Sequence, residues 1–452
     1  MSEKEKLFNK KEKIIFIICL CLTCLIFTPF LFGHYAGDTY NIEALGYSNY
    51  ALNYNLKDGR PFIALFNVLM DKINISINAY VVLTLFMALV VSNVSVIFLR
   101  KVIKKYKNIE NLKQEILITG ISFCLIFNFM YIDCLNFAEA PFIALSELLF
   151  IISAYVLCND NQKGGFLKSI ILSCLAILCY QSSMCMFFAM LFLFSILKNK
   201  NNVKQILIDL LKGGVITIVV LLINFIVIKL AGYIFSLNQD RVKINGLIIL
   251  RNIKIIFYNC FEVLKNSCNL FPESLFIYFI FAITIIIVVY AIVTKKEDSF
   301  IYKYFLVLII SIISSFVLNI ISSSSFMGGR TRLSIGATLG IIFLFLYIES
   351  DIFTGSWKLI KYIVISFVGV YILVNIINYE NLMIAQKKMN LLEQHEMQDI
   401  KETIYKYECE NKTEIKEIVK VLYLNQQEKQ YYNGLPKNPF TRFGSTFFGI
   451  FR

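Results

Sequence analysis

The chain has 452 residues and a net charge of +13, yet only 17% of its residues are charged and 58% are hydrophobic. A soluble domain is about 25% charged, so this balance and a mean hydropathy of +0.67 exclude an ordinary soluble globular protein. They mark an integral membrane protein.

A membrane-spanning helix needs roughly 20 mainly apolar residues. Eleven runs qualify: 14–33, 63–99 (a half-span plus a full one), 115–131, 139–158, 168–180, 182–197, 213–235, 274–294, 303–321, 333–348 and 359–377. The weakest division is at 179–183, "CYQSS", which is either a hairpin or a break in one long helix. The expected fold is an all-α polytopic bundle of about 11 transmembrane helices. Half of the 44 Lys and Arg residues fall in the N-terminus and in 100–115, 159–168, 198–212, 295–303 and 349–361. Positive charge marks cytoplasmic loops, so the N-terminus is expected inside and the C-terminus outside. The basic excess is therefore a topological signal, and nucleic acid is not an expected partner.

Directly after the first run comes "HYAGDTYNIEALGYSNYALNYNLKDGRPF", residues 34–62, with His34, Asp38, Glu43, Asp58 and Arg60 among tyrosines. Its polar and aromatic residues follow a helical period, with Asp38 and Thr39 able to cap the helix. Tyr40, Tyr47, Tyr50 and Tyr54 are expected at the membrane interface, where amphipathic rings collect. Lys57 to Pro61 reads as a turn back into the bilayer. The next outer loop, "YIDCLNFAEAPF", carries Asp133 and Glu139 with no basic residue beside them, and Glu147 follows inside a span. Acids near or within a membrane are costly and therefore functional candidates. The competing readings are a solvated loop charge for Asp133, a helix N-terminal acid for Glu139 and a buried hydrogen bond for Glu147.

Tyr180 and Gln181 form a smaller polar feature at another outer edge, suited to a sugar contact or to helix packing. In "SSSSFMGGRTRLSIG", Arg330 and Arg332 follow two glycines at the mouth of a span. Guanidinium forks match phosphate oxygens in a bidentate way, which suits a lipid-linked phosphate; snorkelling at the interface is the bland alternative. Beyond Tyr379 the chain turns charged and free of Gly and Pro, with apolar residues at helical spacing to about 430. That predicts two or three amphipathic helices of a small extracytoplasmic domain over 378–452, beside a transmembrane domain over 1–377. His34 and His395 lack metal-ligand company, and no Walker loop, dinucleotide fold motif, Ser/His/Asp set or zinc motif occurs. No metal and no cofactor is expected.

In order along the chain, "GDTYN", the aromatic helix, "DGRPF", "YQSS" and "GGRTRLS" resemble the bacterial glucosyl transferases of the Gtr type II family over roughly 14–377. The resemblance implies a GT-C-class enzyme that takes a hexose from a polyprenyl-phosphate donor and passes it to a cell-surface glycan hydroxyl on the outer face. It implies Asp38 as general base, Arg330 and Arg332 as stabilisers of the departing lipid phosphate, and Asp133 and Glu139 as hydroxyl-binding or base-sharing acids. Arg60, Tyr180, Gln181, His34 and Glu43 join them as candidate substrate contacts. Two other classes stay open on the residues alone. A transporter or flippase of lipid-linked saccharides would show repeat symmetry; a polymerase would use a long outer loop such as 236–273, with Arg241 and Arg251.

Overall fold

A computed structural model describes residues 10–109, 111–159, 163–199, 202–237, 246–294, 298–321, 328–349 and 358–411. Among these no strand occurs, and the chain is a succession of helices. In order they are α1 (Lys10–Ile26), α2 (Thr28–Leu31), α3 (Gly37–Leu45), α4 (Tyr47–Tyr50), α5 (Pro61–Lys72), α6 (Ile77–Tyr106), α7 (Leu112–Ile126), α8 (Tyr131–Leu135) and α9 (Ala140–Asn159). Then follow α10 (Lys163–Cys179), α11 (Met184–Asn199), α12 (Val203–Phe235), α13 (Gly246–Asn266), α14 (Leu275–Thr294), α15 (Asp298–Ser314), α16 (Val317–Ile321), α17 (Leu333–Ile348) and α18 (Lys358–Asn411).

Local chemistry sets several boundaries. Ser76, Asn111 and Asn202 cap α6, α7 and α12 by accepting the backbone N–H three residues on, which satisfies a donor that the helix start leaves open. Ser236 ends α12 in the left-handed conformation. At 179–183 the chain breaks into two helices, α10 and α11, joined by Tyr180 and a single turn at Gln181–Ser183.

Among the described residues, six helices are long and apolar enough to cross a membrane: α6, α9, α11 with its preceding turn, α12, α14 and α18. Three further apolar helices, α10, α15 and α17, are shorter, and α1 and α7 have 17 and 15 residues. At 1.5 Å per residue, 15 residues rise about 22 Å, against a hydrocarbon core of about 30 Å.

The bundle is organised around α17, whose residues from Leu333 to Tyr347 are all buried. A helix apolar all round belongs in a core, and α7, α11 and α15 pack around this one. Outward faces of α12 and α14, with Leu211, Leu222, Phe281 and Ile292, remain exposed, as lipid contact requires.

The 54-residue α18 passes through position 378 without a break. The separate small helices expected from 380 onward are replaced, as far as Asn411, by this one rod, about 80 Å long at 1.5 Å per residue. The aromatic stretch "FTRFGSTFFGIFR" that follows Pro436 and Pro439 lies outside the described residues.

At the end of the bundle away from the 34–62 segment, Arg100 is fully buried in an ion-pair network. It meets Glu12 of α1 at 3.3 Å and Glu115 of α7 at 2.6 Å. Lys104 approaches the same two acids at 2.6 and 3.1 Å. Three helices are thereby tied at one point. Removing one partner of a buried pair leaves an uncompensated charge, at a cost of about 3–5 kcal/mol. Arg100→Met is therefore expected to lower the unfolding temperature of the detergent-solubilised protein markedly, and Lys104→Met, at a side chain 26% exposed, to lower it much less.

Candidate active site

The polar stretch 34–62 folds as α3, α4 and one wide helical segment, Ala51–Leu56, closed by a turn at residues 57–60. Asp38 lies in the first turn of α3 and the cap is at Ala36, whose N–H is accepted by the Thr39 hydroxyl at 3.2 Å. The tyrosines expected at the lipid interface face protein instead. Tyr40 donates to Glu393, Tyr47 donates to the Ile75 carbonyl, and Tyr50, 2% exposed, stacks on Tyr54. A phenol that finds a buried acceptor gains more there than at the interface.

The turn is held from three directions. Gly59 has φ +76°, and a Cβ there would meet Ile228 of α12 at 2.6 Å, so only glycine fits this approach. Its carbonyl accepts from Asn224 at 3.1 Å and from Gln181 at 3.0 Å, and Gln181 also donates to the Asp58 carbonyl at 2.8 Å.

Arg60 emerges from this turn. Its Nη1 meets Glu139 Oε2 at 2.7 Å, its Nε donates to Gln181 Oε1 at 3.2 Å, and its guanidinium lies 4.6 Å from the Tyr180 ring centroid. Asp58 stands 3.9 Å away. Burial works against the charge on Arg60, but Glu139, Tyr180 and Asp58 more than offset it and hold its pKa above the ordinary value. The other Glu139 oxygen accepts from Asn55 at 2.6 Å, and a buried chain continues through Asn67 to Tyr80. None of these three stood out in the sequence; an amide within an apolar run, as in "LFNVLM", was the available signal.

Arg330 forms the second half of the site. It sits in the single turn Gly329–Thr331 before α17. Its backbone N–H donates to Asp133 Oδ2 at 2.8 Å, its Nη1 lies 3.7 Å from Asp38 Oδ2, and its guanidinium covers the Phe137 ring at 3.7 Å. Gly329 permits this approach, since a Cβ there would stand 3.2 Å from the Asp133 Cβ. Burial opposes the Arg330 charge, and Tyr180, Asp38, Asp133 and Glu139 together raise its pKa.

Tyr180 lies in the field of both arginines, and burial pushes its phenol up to about 12 against their opposing charge. The structure thus gathers Asp38, Asp133, Glu139, Arg60, Arg330, Tyr180 and Gln181 at one end of the bundle. Within this group the Asp38 side chain is 28% exposed and that of Glu139 only 4%.

Three expected contacts lie elsewhere. Arg332 is fully buried, turned toward the Ser315 carbonyl at 2.7 Å and Asn319, and stacked on Phe316 at 4.4 Å. His34 is buried against Phe30 at a ring distance of 3.9 Å, and burial lowers its pKa to about 4. Glu43 is exposed on α3. No group of three or more His, Cys, Asp or Glu placed to hold a metal ion occurs among the described residues.

A family model described as glucosyl transferase GtrII matches residues 38–348. The chain belongs to this family. No curated protein and no solved structure matches it. Family membership makes this GtrII chain a glycosyltransferase, and its long apolar helices fit a multi-pass membrane protein. The matched region starts at Asp38 and ends with α17, so it contains both halves of the site and leaves α18 and His34 outside.

The Arg60–Glu139 pair gives a direct test of this geometry. Glu139→Gln strands a largely buried guanidinium and is expected to cost about 3–5 kcal/mol of stability, whereas a fitted apolar pair in the double variant Arg60→Met/Glu139→Leu recovers much of it. Chemical or thermal unfolding of the three proteins in one detergent measures the coupling.

Proposed function

We propose that this chain is a GT-C-type hexosyltransferase. It moves a hexose, glucose by its family's name, from a polyprenyl-phosphate donor in the outer leaflet to a hydroxyl of a cell-surface polysaccharide or glycopolymer. The Lys and Arg distribution supports about 11 crossings, with the N-terminus cytoplasmic and the C-terminus extracytoplasmic. The short helices α1, α7, α10, α15 and α17 then cross beside the six long ones.

The observation that carries the reading is the contact of Asp38 with Arg330, beside a second arginine clamped by Glu139. Asp38, whose side chain is more exposed than those of Asp58 and Glu139, takes the proton of the acceptor hydroxyl. The acceptor oxygen bonds to the anomeric carbon as the bond from that carbon to the phosphate oxygen breaks. The electron pair leaves with the lipid phosphate. Arg330, flattened on Phe137 and tethered through its backbone to Asp133, is already aimed where that charge grows, as electrostatic preorganisation requires. Asp133 and Glu139 orient the two arginines and present oxygens to sugar or acceptor hydroxyls. Tyr180 and Gln181 border the sugar.

Two variants test the roles, assayed with purified protein, a panel of polyprenyl-phosphate sugars and donor turnover as the readout. Asp38→Asn keeps the size and the start of α3, and is expected to lose about 10²–10⁴-fold in rate, as removal of a general base does, with unfolding temperature unchanged. An active Asp38→Asn protein would assign the base elsewhere. Arg330→Ala removes a charge-assisted contact worth about 1.5–3 kcal/mol, so turnover should fall roughly tenfold to a hundredfold. Wild-type donor use by this variant would make Arg330 an anchor rather than a phosphate ligand.

A further inference from the structure

Helix α18 reaches the candidate site from outside the family-matched region, and it does so through one face. Gln386, Asn390 and Glu393 recur at helical spacing and are 3%, 5% and 7% exposed. Asn390 Oδ1 accepts the backbone N–H of Tyr35 at 2.9 Å, and its Nδ2 donates to the carbonyl of that same residue at 2.9 Å. Gln386 donates to the Tyr35 carbonyl as well, at 2.7 Å. One turn along, Glu393 Oε2 accepts from the Tyr40 hydroxyl at 2.7 Å and from Asn390 at 3.2 Å. Both polar groups of the Tyr35 backbone are thus bound by α18, and so is the side chain at Tyr40. Asp38 lies between these two tethers.

Below this face the rod is fixed to the bundle. Tyr379 donates to the Phe127 carbonyl at 2.8 Å and Asn378 donates to the Leu270 carbonyl at 2.5 Å. Phe127 ends the helix that precedes the Asp133 loop, so α18 spans from the ground under Asp133 to the two flanks of Asp38. At the start of α3 itself, Ala36 supplies no side-chain oxygen, and the cap bond comes from Thr39 within the helix.

We infer that Asn390 and Glu393 are positioning residues for the transferase reaction, setting the distance between Asp38 and Arg330 by clamping residues 35–40 onto α18. This inference rests on the role proposed for Asp38. Its physical basis is that catalytic groups act only within a narrow geometry, and a displacement of 1 Å imposed from a distance can cost on the order of 10²-fold in rate. The contact at stake, 3.7 Å between Asp38 and Arg330, is within that sensitivity. Backbone bonds to Tyr35 and the phenol bond at Tyr40 act on the start and the second turn of α3, so losing either lets the first turn swing.

The experiment compares full-length wild type with Asn390→Ala, Glu393→Leu and Glu393→Gln. Glu393→Gln keeps an acceptor for the Tyr40 hydroxyl and serves as the conservative rescue. Two readouts are taken on each protein: amide hydrogen exchange over residues 35–45, and kcat and KM for a polyprenyl-phosphate sugar. Asn390→Ala is expected to speed exchange in 35–45 by roughly tenfold, from the loss of its hydrogen bonds, while α6, α9 and α11 stay protected. Its kcat should fall on the order of 10- to 10²-fold, with donor KM near wild type, and Glu393→Gln should stay close to wild type on both readouts while Glu393→Leu does not. Unchanged exchange over 35–45 in Asn390→Ala overturns the clamp, and faster exchange with undiminished kcat overturns its positioning role. Collapse of protection across α6, α9 and α11 as well would make α18 a general structural brace and also overturn it. If wild type turns over no polyprenyl-phosphate sugar, the proposed activity is what fails, and exchange over 35–45 still decides whether α18 holds this segment.

Discussion

A charge carried into an apolar bundle must be answered by an opposite charge or by polar groups, because the hydrocarbon around it offers no solvation. The Arg60–Glu139 pair meets that demand between segments 79 residues apart, and much of the site follows from it. The pair fixes the turn after Ala51–Leu56 against the start of α9. Through Gln181 it also fixes the break between α10 and α11, and through Asn55, Asn67 and Tyr80 it draws α5 and α6 to the same point. Each of these bonds saturates a polar group that would otherwise be buried unpaired, so the arrangement is close to determined once Arg60 is placed.

The second constraint is the mouth of α17. Arg330 and Arg332 stand at alternate positions, which in an extended chain would put them on one side. The chain there is a tight turn of about three residues per turn, so alternate residues point well apart. One guanidinium reaches the Asp38 and Asp133 carboxylates; the other turns under the turn toward Ser315 and Asn319. Two identical side chains therefore meet different surroundings, and only Arg330 joins the acidic cluster.

Much of this was legible in the sequence, and the limits are physical. Hydropathy located the helices because burial in lipid depends on composition over a length, and the gathering of Asp38, Asp133 and Glu139 could be read from their common position after or before apolar runs. Pairing could not. Arg100 read as one more cytoplasmic positive charge, since nothing local shows that Glu12 and Glu115 will close around it. The tyrosines of 40–54 were assigned to the interface on average behaviour, whereas Glu393, the acceptor that buries Tyr40, lies 353 residues away. Helix α18 is a different case. The change of composition at Tyr379 suggested a boundary, but a helix stops for a backbone reason, and neither Gly nor Pro occurs between Gly369 and Gly434. Polarity changed there; the backbone had no cause to.

The charge count of the site bears on how its chemistry could run. Four carboxylates, of Asp38, Asp58, Asp133 and Glu139, stand near two guanidinium groups, of Arg60 and Arg330. Such a site is an unfavourable resting place for a phosphate anion unless one carboxylate gives way. Glu139 is committed at 2.7 Å to Arg60, whereas the contacts of Asp38 with Arg330 and of Asp58 with Arg60 are longer, at 3.7 and 3.9 Å. On the proposed reaction, Asp38 becomes neutral when it takes the acceptor proton, and its hold on Arg330 weakens at that moment. The lipid phosphate gains its second negative charge in the same step. Proton transfer at one partner would thus free the positive charge that the leaving group needs, which couples base and phosphate ligand through a single contact. An arginine bound equally well before and after bond cleavage would aid binding without aiding the rate, and this exchange of partners is what would let Arg330 favour the transition state.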